Sequence, residues 1–433
     1  LMVRSAFPFH ARLTDERRSL AVEVALRSAA GDHFCLLIPP PPSKHLRRLT
    51  LHLVVHEDAG SRRATAPLML LPPGDGARAR RIFGRSRLLS EPMHFLSTNG
   101  RGAMLRVPVA WGSLTSRYDA LLAANLSPDY PEDRWIMFTR CRAWLVYQGY
   151  SQDIALDSLQ AFALEDGRSA VWRFKIPSGQ GQHVLLTLTA EMLPGRNAVR
   201  LVFARRPAGS DPSRLADATP VRLILRPDIE DRSFHETTKA FAGPEHQFRA
   251  ALAAAEDGFE FRPDPHRRLH MAVSHGRFFH EPEWQYMVKL PRDEERGQDA
   301  HSDLFSPGYF ESRLTGGGDA ALTAEINPVA SRTGGRPAKP RRAPVARPIE
   351  VLTAALDHYI VDRNGLKSVI AGYPWFLDWG RDSLISVRGL IAAGRFADAR
   401  AVLTLFGQFE DRGTLPNMIR GGDARNRDTS DAP

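Results

Sequence analysis

Apolar residues alternate with polar ones through most of the first 330 residues, in short runs broken by turn-forming clusters. Leu20–Leu26, His33–Ile38, Leu49–His56, Trp135–Tyr147, Ala170–Ile176, His183–Ala190, Ala198–Ala204 and Val221–Leu225 read as strands. Leu269–Val273, Trp284–Lys289, Tyr309–Leu314 and Ala321–Ile326 continue the series. Pro-Pro-Gly-Asp-Gly and Pro-Ser-Gly-Gln-Gly clusters separate some of them. Many short strands between turn signals, with few stretches of helical period, predict a large β-sandwich. Before residue 345 only Pro244–Asp257 reads as helical.

The period changes after a Gly, Pro, Ala and Arg-rich stretch, Ser331–Pro348, which reads as a linker. Leu352, Leu356, Tyr359 and Ile360 then fall on one helix face. Leu384, Val387, Leu390 and Ile391 form a second such face, and Phe396, Ala399, Val402, Leu403, Phe406 and Phe409 a third. Gly394 and Gly413 follow the second and third runs as helix-ending glycines. The expected organisation is a β-rich portion over residues 1–92, a sandwich over 93–330, the linker over 331–348 and a helical domain of antiparallel pairs over 349–433.

Composition removes several function classes. Hydrophobic residues at 43% and charged residues at 25% suit a globular protein with a sizeable core. The net charge of +9 raises nucleic-acid binding. However, the basic residues are mostly interleaved with Asp and Glu. The one acid-free basic stretch is the linker, with Arg332, Arg336, Lys339, Arg341, Arg342 and Arg347. No nucleic-acid partner is expected. Cys35 and Cys141 make neither a disulfide framework nor a metal-ligand spacing. No signal peptide and no apolar run of membrane-spanning length is read, so the expected location is the cytoplasm, with no membrane partner. No metal or organic cofactor is expected; the oligomeric state is left open.

The segment richest in chemistry is Ala-Gly-Tyr-Pro-Trp-Phe-Leu-Asp-Trp-Gly-Arg-Asp-Ser, residues 371–383. Tyr373, Trp375, Phe376 and Trp379 precede Arg381 and Asp382 at a predicted helix start. Aromatic faces suit the C–H faces of sugar rings, and an Arg–Asp pair offers donors and acceptors to their hydroxyls. Buried polar groups matched to such hydroxyls discriminate strongly, because a poor ligand leaves them unpaired. The same residues also fit a plain core in which Asp382 caps its helix. Asp428 and Asp431, in Asn-Arg-Asp-Thr-Ser-Asp-Ala-Pro, equally fit a turn or cap.

This segment, with Gly389-Leu390, Gly394-Arg395, Leu415-Pro416-Asn417 and Asp428-Thr-Ser-Asp-Ala, resembles the opening of the glucosidase domain of glycogen debranching enzymes of the amylo-α-1,6-glucosidase type. Thr98-Asn99-Gly100-Arg101-Gly102, Ser116-Arg117-Tyr118-Asp119, Glu294-Glu295-Arg296-Gly297 and Ser302-Asp303-Leu304-Phe305-Ser306-Pro307-Gly308 resemble that family's N-terminal domain. The likeness spans about residues 95–433.

It implies a supersandwich-like N-terminal domain followed by the first helices of an (α/α)6 barrel. The implied activity is inverting hydrolysis of α-1,6-linked glucose in glycogen or limit dextrin. Arg381 and Asp382 would hold glucose hydroxyls, with Asn417 as a further substrate contact. Trp375, Phe376 and Trp379 would wall the subsite, and Asp431 would be the general acid, with Asp428 the other carboxylate of its segment. Inversion needs a second carboxylate about 6.5–9.5 Å from the first. The resemblance implies that this base lies beyond residue 431, so the chain, in which Leu1 precedes Met2, is expected to be a fragment inactive on its own. Two alternatives stand beside this reading: a non-catalytic glucan-binding sandwich, and a glucoamylase-like α-1,4-glucosidase sharing Trp-Gly-Arg-Asp-Ser.

Overall fold

The computed structural model describes residues 1–15, 18–41, 43, 46–70, 81–127, 129–164, 169–327 and 348–427. The predicted linker lies outside these, apart from its last residue, Pro348, and so do Asp428 and Asp431. The chain divides into two compact units, one of residues 1–79 with 345–350 and one of residues 80–344 with 351–433.

The described residues of the smaller unit form two antiparallel sheets. Met2–Ser5, His33–Leu36 and Leu26–Arg27 form one; Ser19–Val24, Phe9–Thr14, Arg47–Glu57 and Gly60–Leu70 form the other, in that order. Strict alternation puts Phe9, Ala11 and Leu13 inward, and Phe9 and Ala11 pack with Cys35, Leu37, Leu51 and Val55.

Two large antiparallel sheets make the body of the second unit. In the first, the order is Arg277–Lys289, His301–Leu314, Val221–Ser233, Arg134–Tyr147, Ala120–Asn125, Met104–Pro108 and His94–Thr98, with Tyr150–Asp153 paired to Arg134–Tyr147. The second runs Leu252–Ala254, Gly258–Asp264, Arg267–Val273, Asp319–Ile326, Ala198–Arg205, Gln182–Met192, Ser169–Gly179, Leu159–Leu164 and Arg81–Gly84. Their facing side chains share one core: Phe138, Ala143, Leu145, Leu223 and Phe310 meet Trp172, Phe174, Leu186, Leu201 and Phe203. Gln182–Met192 shows why the sequence folds this way, since Val184, Leu186, Leu188, Ala190 and Met192 point in while the residues between point outward. The predicted β-sandwich is therefore present. Trp172 anchors its centre, donating from Nε1 to the Val109 carbonyl at 2.9 Å with Phe162 and Trp111 against its ring.

Four expectations about helices change, three of them before residue 370. Helix Pro244–Ala250 is shorter than predicted, because Leu252–Ala254 pairs as an edge strand with Gly258–Asp264. Sheet pairing there overrides the helical preference of an alanine-rich stretch. Short helices also occur at Arg85–Ser90 and Pro291–Glu295. The run Leu352 to Ile360 is not one helix: Pro348–Ala355 is helical and Leu356–His358 is a 3-10 turn, whereas Ile360–Arg363 is a strand paired with Leu366–Val369. The cause is the Asn364-Gly365 turn, with φ of 47° and 73°, the left-handed pair that a tight hairpin requires.

The next two helices are present as Gly380–Ala392 and Phe396–Gly407, joined through Gly394 at φ 72°. They bury Val387, Leu390, Ala399, Val402 and Phe406 together, while Ile391 and Phe396 stay exposed. Gly413 lies in a separate turn closed between Asp411 and Thr414 rather than at a helix end. A small sheet of Asp378–Trp379, Met418–Arg420 and Asp423–Asn426 completes this part. No helix among the described residues is long and apolar enough to cross a membrane.

Gly102 joins the sandwich to the segment that leads into Arg134. Its φ is 91°, and a Cβ there would meet the Pro131 carbonyl oxygen at 1.9 Å. Both the space and the backbone conformation demand glycine. Gly102→Ala is expected to cost about 2–4 kcal/mol, read as a lowered thermal unfolding midpoint.

Candidate functional site

The aromatic segment is held on the outer face of the first sheet by a buried guanidinium. Arg134, 1% exposed, donates from Nη1 to the Pro374 carbonyl at 2.6 Å and from Nη2 to the Phe376 carbonyl at 2.8 Å. Its guanidinium carbon stands 4.7 Å from the Phe234 ring centroid and 4.9 Å from that of Tyr373. Neutral carbonyls and ring faces are what a buried cation can use without a counter-ion. Burial pulls Arg134 below its ordinary pKa and pushes the Tyr373 hydroxyl up to about 12. The segment closes on itself through Phe376 N–H to the Gly372 carbonyl at 2.8 Å and Ala371 N–H to that of Leu377 at 2.9 Å. The Tyr373–Pro374 bond is cis.

A second buried group fixes the end of the segment. Arg363, fully buried in the hairpin, donates from Nη1 to Glu132 Oε2 at 2.8 Å and to Asp378 Oδ2 at 2.9 Å. Its Nη2 reaches the Gly421 carbonyl, and Gly421 N–H donates to Glu132. Ser368 Oγ adds a bond to Asp378 Oδ2 at 3.0 Å. Sandwich, hairpin, aromatic segment and the turn before the last strand thus meet at one guanidinium. One cation faces two carboxylates. Burial is the largest influence on Asp378; Arg363 opposes it and Glu132 adds to it, so the carboxyl is pushed up to about 7.

The residues predicted from sequence fall into separate groups around this frame. Trp375 packs on the sandwich, with Tyr118 edge-on at 6.3 Å and the Arg296 guanidinium 4.6 Å from its ring centroid. Phe376 is 48% exposed and meets Trp379 edge-on at 6.3 Å. Trp379 is the residue before helix Gly380–Ala392, so Asp382 lies in that helix's first turn, where its charge suits the helix dipole. Arg381 and Asp382 form a partly exposed ion pair at 3.5 Å. Asp382 also borders an otherwise mainly apolar cleft of about 240 Å³ lined by Tyr359, Ile370, Ile385 and Ser386 among others. Asn417 is buried, and its backbone bonds both Gly380 N–H, at 2.9 Å, and the Asn426 carbonyl, at 2.7 Å.

The Nε1 atoms of Trp375 and Trp379 and the Tyr373 hydroxyl are buried without a hydrogen-bond partner. An unmet buried donor costs about 1–3 kcal/mol, and that of Trp379 stands beside the exposed ring of Phe376. No cluster of three or more metal-ligating side chains exists among the described residues.

Sequence reasoning passed over Glu132, Arg134, Arg363 and Asp378. Asp378 stands inside the quoted segment, and its place between Leu377 and Trp379 was a signal of burial. The upstream motifs converge on the same place. Thr98 Oγ1 donates to the His358 carbonyl at 2.9 Å, and Asp362 N–H to that of Gly100 at 3.1 Å. Ser116 Oγ and Arg117 N–H bond Asp293, at 2.9 and 2.6 Å, orienting the Tyr118 and Arg296 that flank Trp375.

Comparison with known proteins gives two family matches. The family described as glycogen debranching enzyme N terminal matches residues 94–321, and the one described as amylo-alpha-1,6-glucosidase matches residues 354–433. No curated protein sequence matches the chain. Among solved structures, a GalM/aldose epimerase homologue from C. elegans is similar at 8% identity over 55% of this chain and 99% of its own, with a TM-score of 0.30, too low to carry an argument.

Folding takes up a proton at Asp378, whose carboxyl titrates near 3.8 when unfolded and about 7 when folded. Its contribution to stability is complete below the lower value and is lost as pH rises through the upper one. Urea unfolding midpoints should fall between about pH 4 and about pH 7, and Asp378→Asn should flatten that fall.

Proposed function

Because the chain belongs to the glycogen debranching enzyme family, we propose that it acts in the inverting hydrolysis of α-1,6-linked glucose at branch points of glycogen or limit dextrin, in the cytoplasm. The observation that carries this reading is the half-exposed Phe376 ring edge-on to Trp379, whose Nε1 is unmet, just before the helix start that bears the Arg381–Asp382 pair at the border of the cleft of about 240 Å³. A sugar suits such a surface, with hydroxyls for the Arg381–Asp382 pair and C–H faces for the Phe376 ring. An anionic ligand is less suited, since Arg381 is already paired with Asp382.

In this reading residues 1–92 are an added β-rich portion, 93–330 the family's N-terminal sandwich, 331–348 a linker, and residues from 349 the start of an (α/α)6 barrel. Helices Gly380–Ala392 and Phe396–Gly407 would be its first pair. Arg381 and Asp382 hold hydroxyls of the glucose to be released, Trp375, Phe376 and Trp379 wall its subsite, and Asn417 contacts it from the strand side. Asp431 is the general acid, giving its proton to the α-1,6 glycosidic oxygen as the bond to the anomeric carbon breaks. A water activated by a second carboxylate attacks the opposite face of the sugar.

No described residue is assigned that base, so the 433-residue chain by itself is expected to release no glucose from limit dextrin. Enzymatic glucose determination on the purified chain tests this, and release would overturn the assignment. In a glucose-releasing form of the enzyme, Asp431→Asn should abolish turnover and leave glucan binding within a factor of about two. Undiminished turnover would remove Asp431 from the acid role.

A further inference from the structure

The outer face of the first sheet carries a second set of sugar-compatible groups, further along strand Arg134–Tyr147 and across the strands on its other side from the aromatic segment. In the outer half of these strands, Ala143, Leu145, Leu223, Leu225 and Phe310 point into the core, so the residues between them point outward. Register aligns Trp144, Ile224, Glu311 and Arg277 in one row across four strands. The neighbouring row holds Arg142 beside Arg226, then Tyr309 beside Phe279. The rings of Phe279 and Tyr309 lie nearly parallel, 13° apart with centroids at 5.0 Å. Trp144 is two strands away from Tyr309, or about 10 Å across the sheet. Between the two platforms is a concavity of about 400 Å³, within the size range of small-ligand sites.

The charges on this face are matched. Arg142 Nη2 bonds Asp228 and Glu283, each at 2.8 Å. Arg226 Nε pairs with Glu283 at 3.1 Å, and Arg222 Nη1 with Glu311 at 3.1 Å. Arg140 shares Asp228 with Arg142, and Arg277 pairs with Glu256 at 2.8 Å, so every guanidinium named on this face has a carboxylate partner. A phosphate or nucleic acid would have to break these pairs, which a buried or half-buried ion pair resists. A neutral polyhydroxylated chain would use them intact, taking hydrogen bonds from guanidinium edges and giving them to carboxylate oxygens while its rings lie on Trp144 and Tyr309.

We propose that this face is a second glucan site, which holds a linear run of glucosyl units of the same polymer and is separate from the Arg381–Asp382 region. The choice of glucan as ligand rests on the function proposed above; the location rests on the sheet face alone. The test is native electrophoresis of the full chain in gels containing glycogen, with maltoheptaose as soluble competitor and polysaccharide-free gels as reference. Trp144→Ala and Phe279→Ala should each weaken retardation about tenfold while leaving the thermal unfolding midpoint near that of the wild type. Trp375→Ala should leave most of the retardation in place.

Retardation unchanged in both Trp144→Ala and Phe279→Ala overturns the proposal, whether or not sedimentation then assigns the face to a second copy of the chain. So does retardation abolished by Trp375→Ala alone. Should either alanine variant misfold, Trp144→Phe keeps the fold and still reports, since quenching of Trp144 fluorescence by maltoheptaose would disappear with it. Persistence of the full quenching signal in Trp144→Phe counts against the site. None of these readouts depends on glucose release, so failure here leaves the hydrolytic reading standing and failure there leaves this one.

Discussion

A guanidinium held between two carboxylates away from water is the constraint on which this part of the molecule depends. Arg363 draws together Glu132 of the sandwich side, Asp378 of the aromatic segment and the backbone at Gly421. Arg134 does the same for the carbonyls of Pro374 and Phe376. Buried ion clusters contribute little net stability against a well-packed apolar alternative, but losing one member costs far more than the cluster gains. Their effect is on geometry. Apolar contacts such as Tyr118 on Trp375 tolerate sliding, whereas a guanidinium with fixed donor directions admits one arrangement of the segment.

That geometry explains why backbone, more than side chains, is gripped. Arg134 takes hold of two carbonyls, leaving the rings of Phe376 and Trp379 and the donors of Trp375 and Trp379 uncommitted. Tyr373, Trp375, Leu377 and Asp378 are held by their side chains as well, so Phe376 and Trp379 are the rings the segment has left to offer a ligand. The small sheet serves the same end from the other side, since Asn417 ties the first turn of helix Gly380–Ala392 to the strand Asp423–Asn426. Arg381 and Asp382 are thereby placed on a helix start that is anchored at both flanks.

How much of this was legible in the sequence depended on whether the signal was local. Strands such as Gln182–Met192 declare themselves by alternation, and helix Gly380–Ala392 by Val387 and Leu390 at helical spacing. Ile360 reads as helical because Leu352, Leu356 and Tyr359 share its period, although Asn364-Gly365 four residues further on is a stronger, opposing signal. The aromatic segment was recognised as chemistry, whereas its supports were not. Nothing near Glu132 or Arg134 in the chain foretells burial, because their partners lie more than two hundred residues away. A charged side chain reads as surface until its counterpart is known.

The outer face of the first sheet shows how one surface can serve two kinds of contact. Near the aromatic segment it is apolar, with Met104, Ala120, Ala123 and Ile136 beneath Tyr373, Trp375 and Leu377. Further along the same strands it becomes a lattice of paired charges, in which Arg140 and Arg142 share the buried Asp228 and Arg226 leans on Glu283. Between the two, the ladder of Arg134–Tyr147 with Val221–Ser233 is irregular around Phe138. Bulges of this kind bend a strand and raise its twist. An apolar patch excludes water and favours permanent packing of the chain on itself, while matched charges keep their hydration at little cost and favour ligands that come and go. The division follows from side-chain chemistry laid out along common strands, so the sandwich is a scaffold for the aromatic segment at one end and an open polar surface at the other.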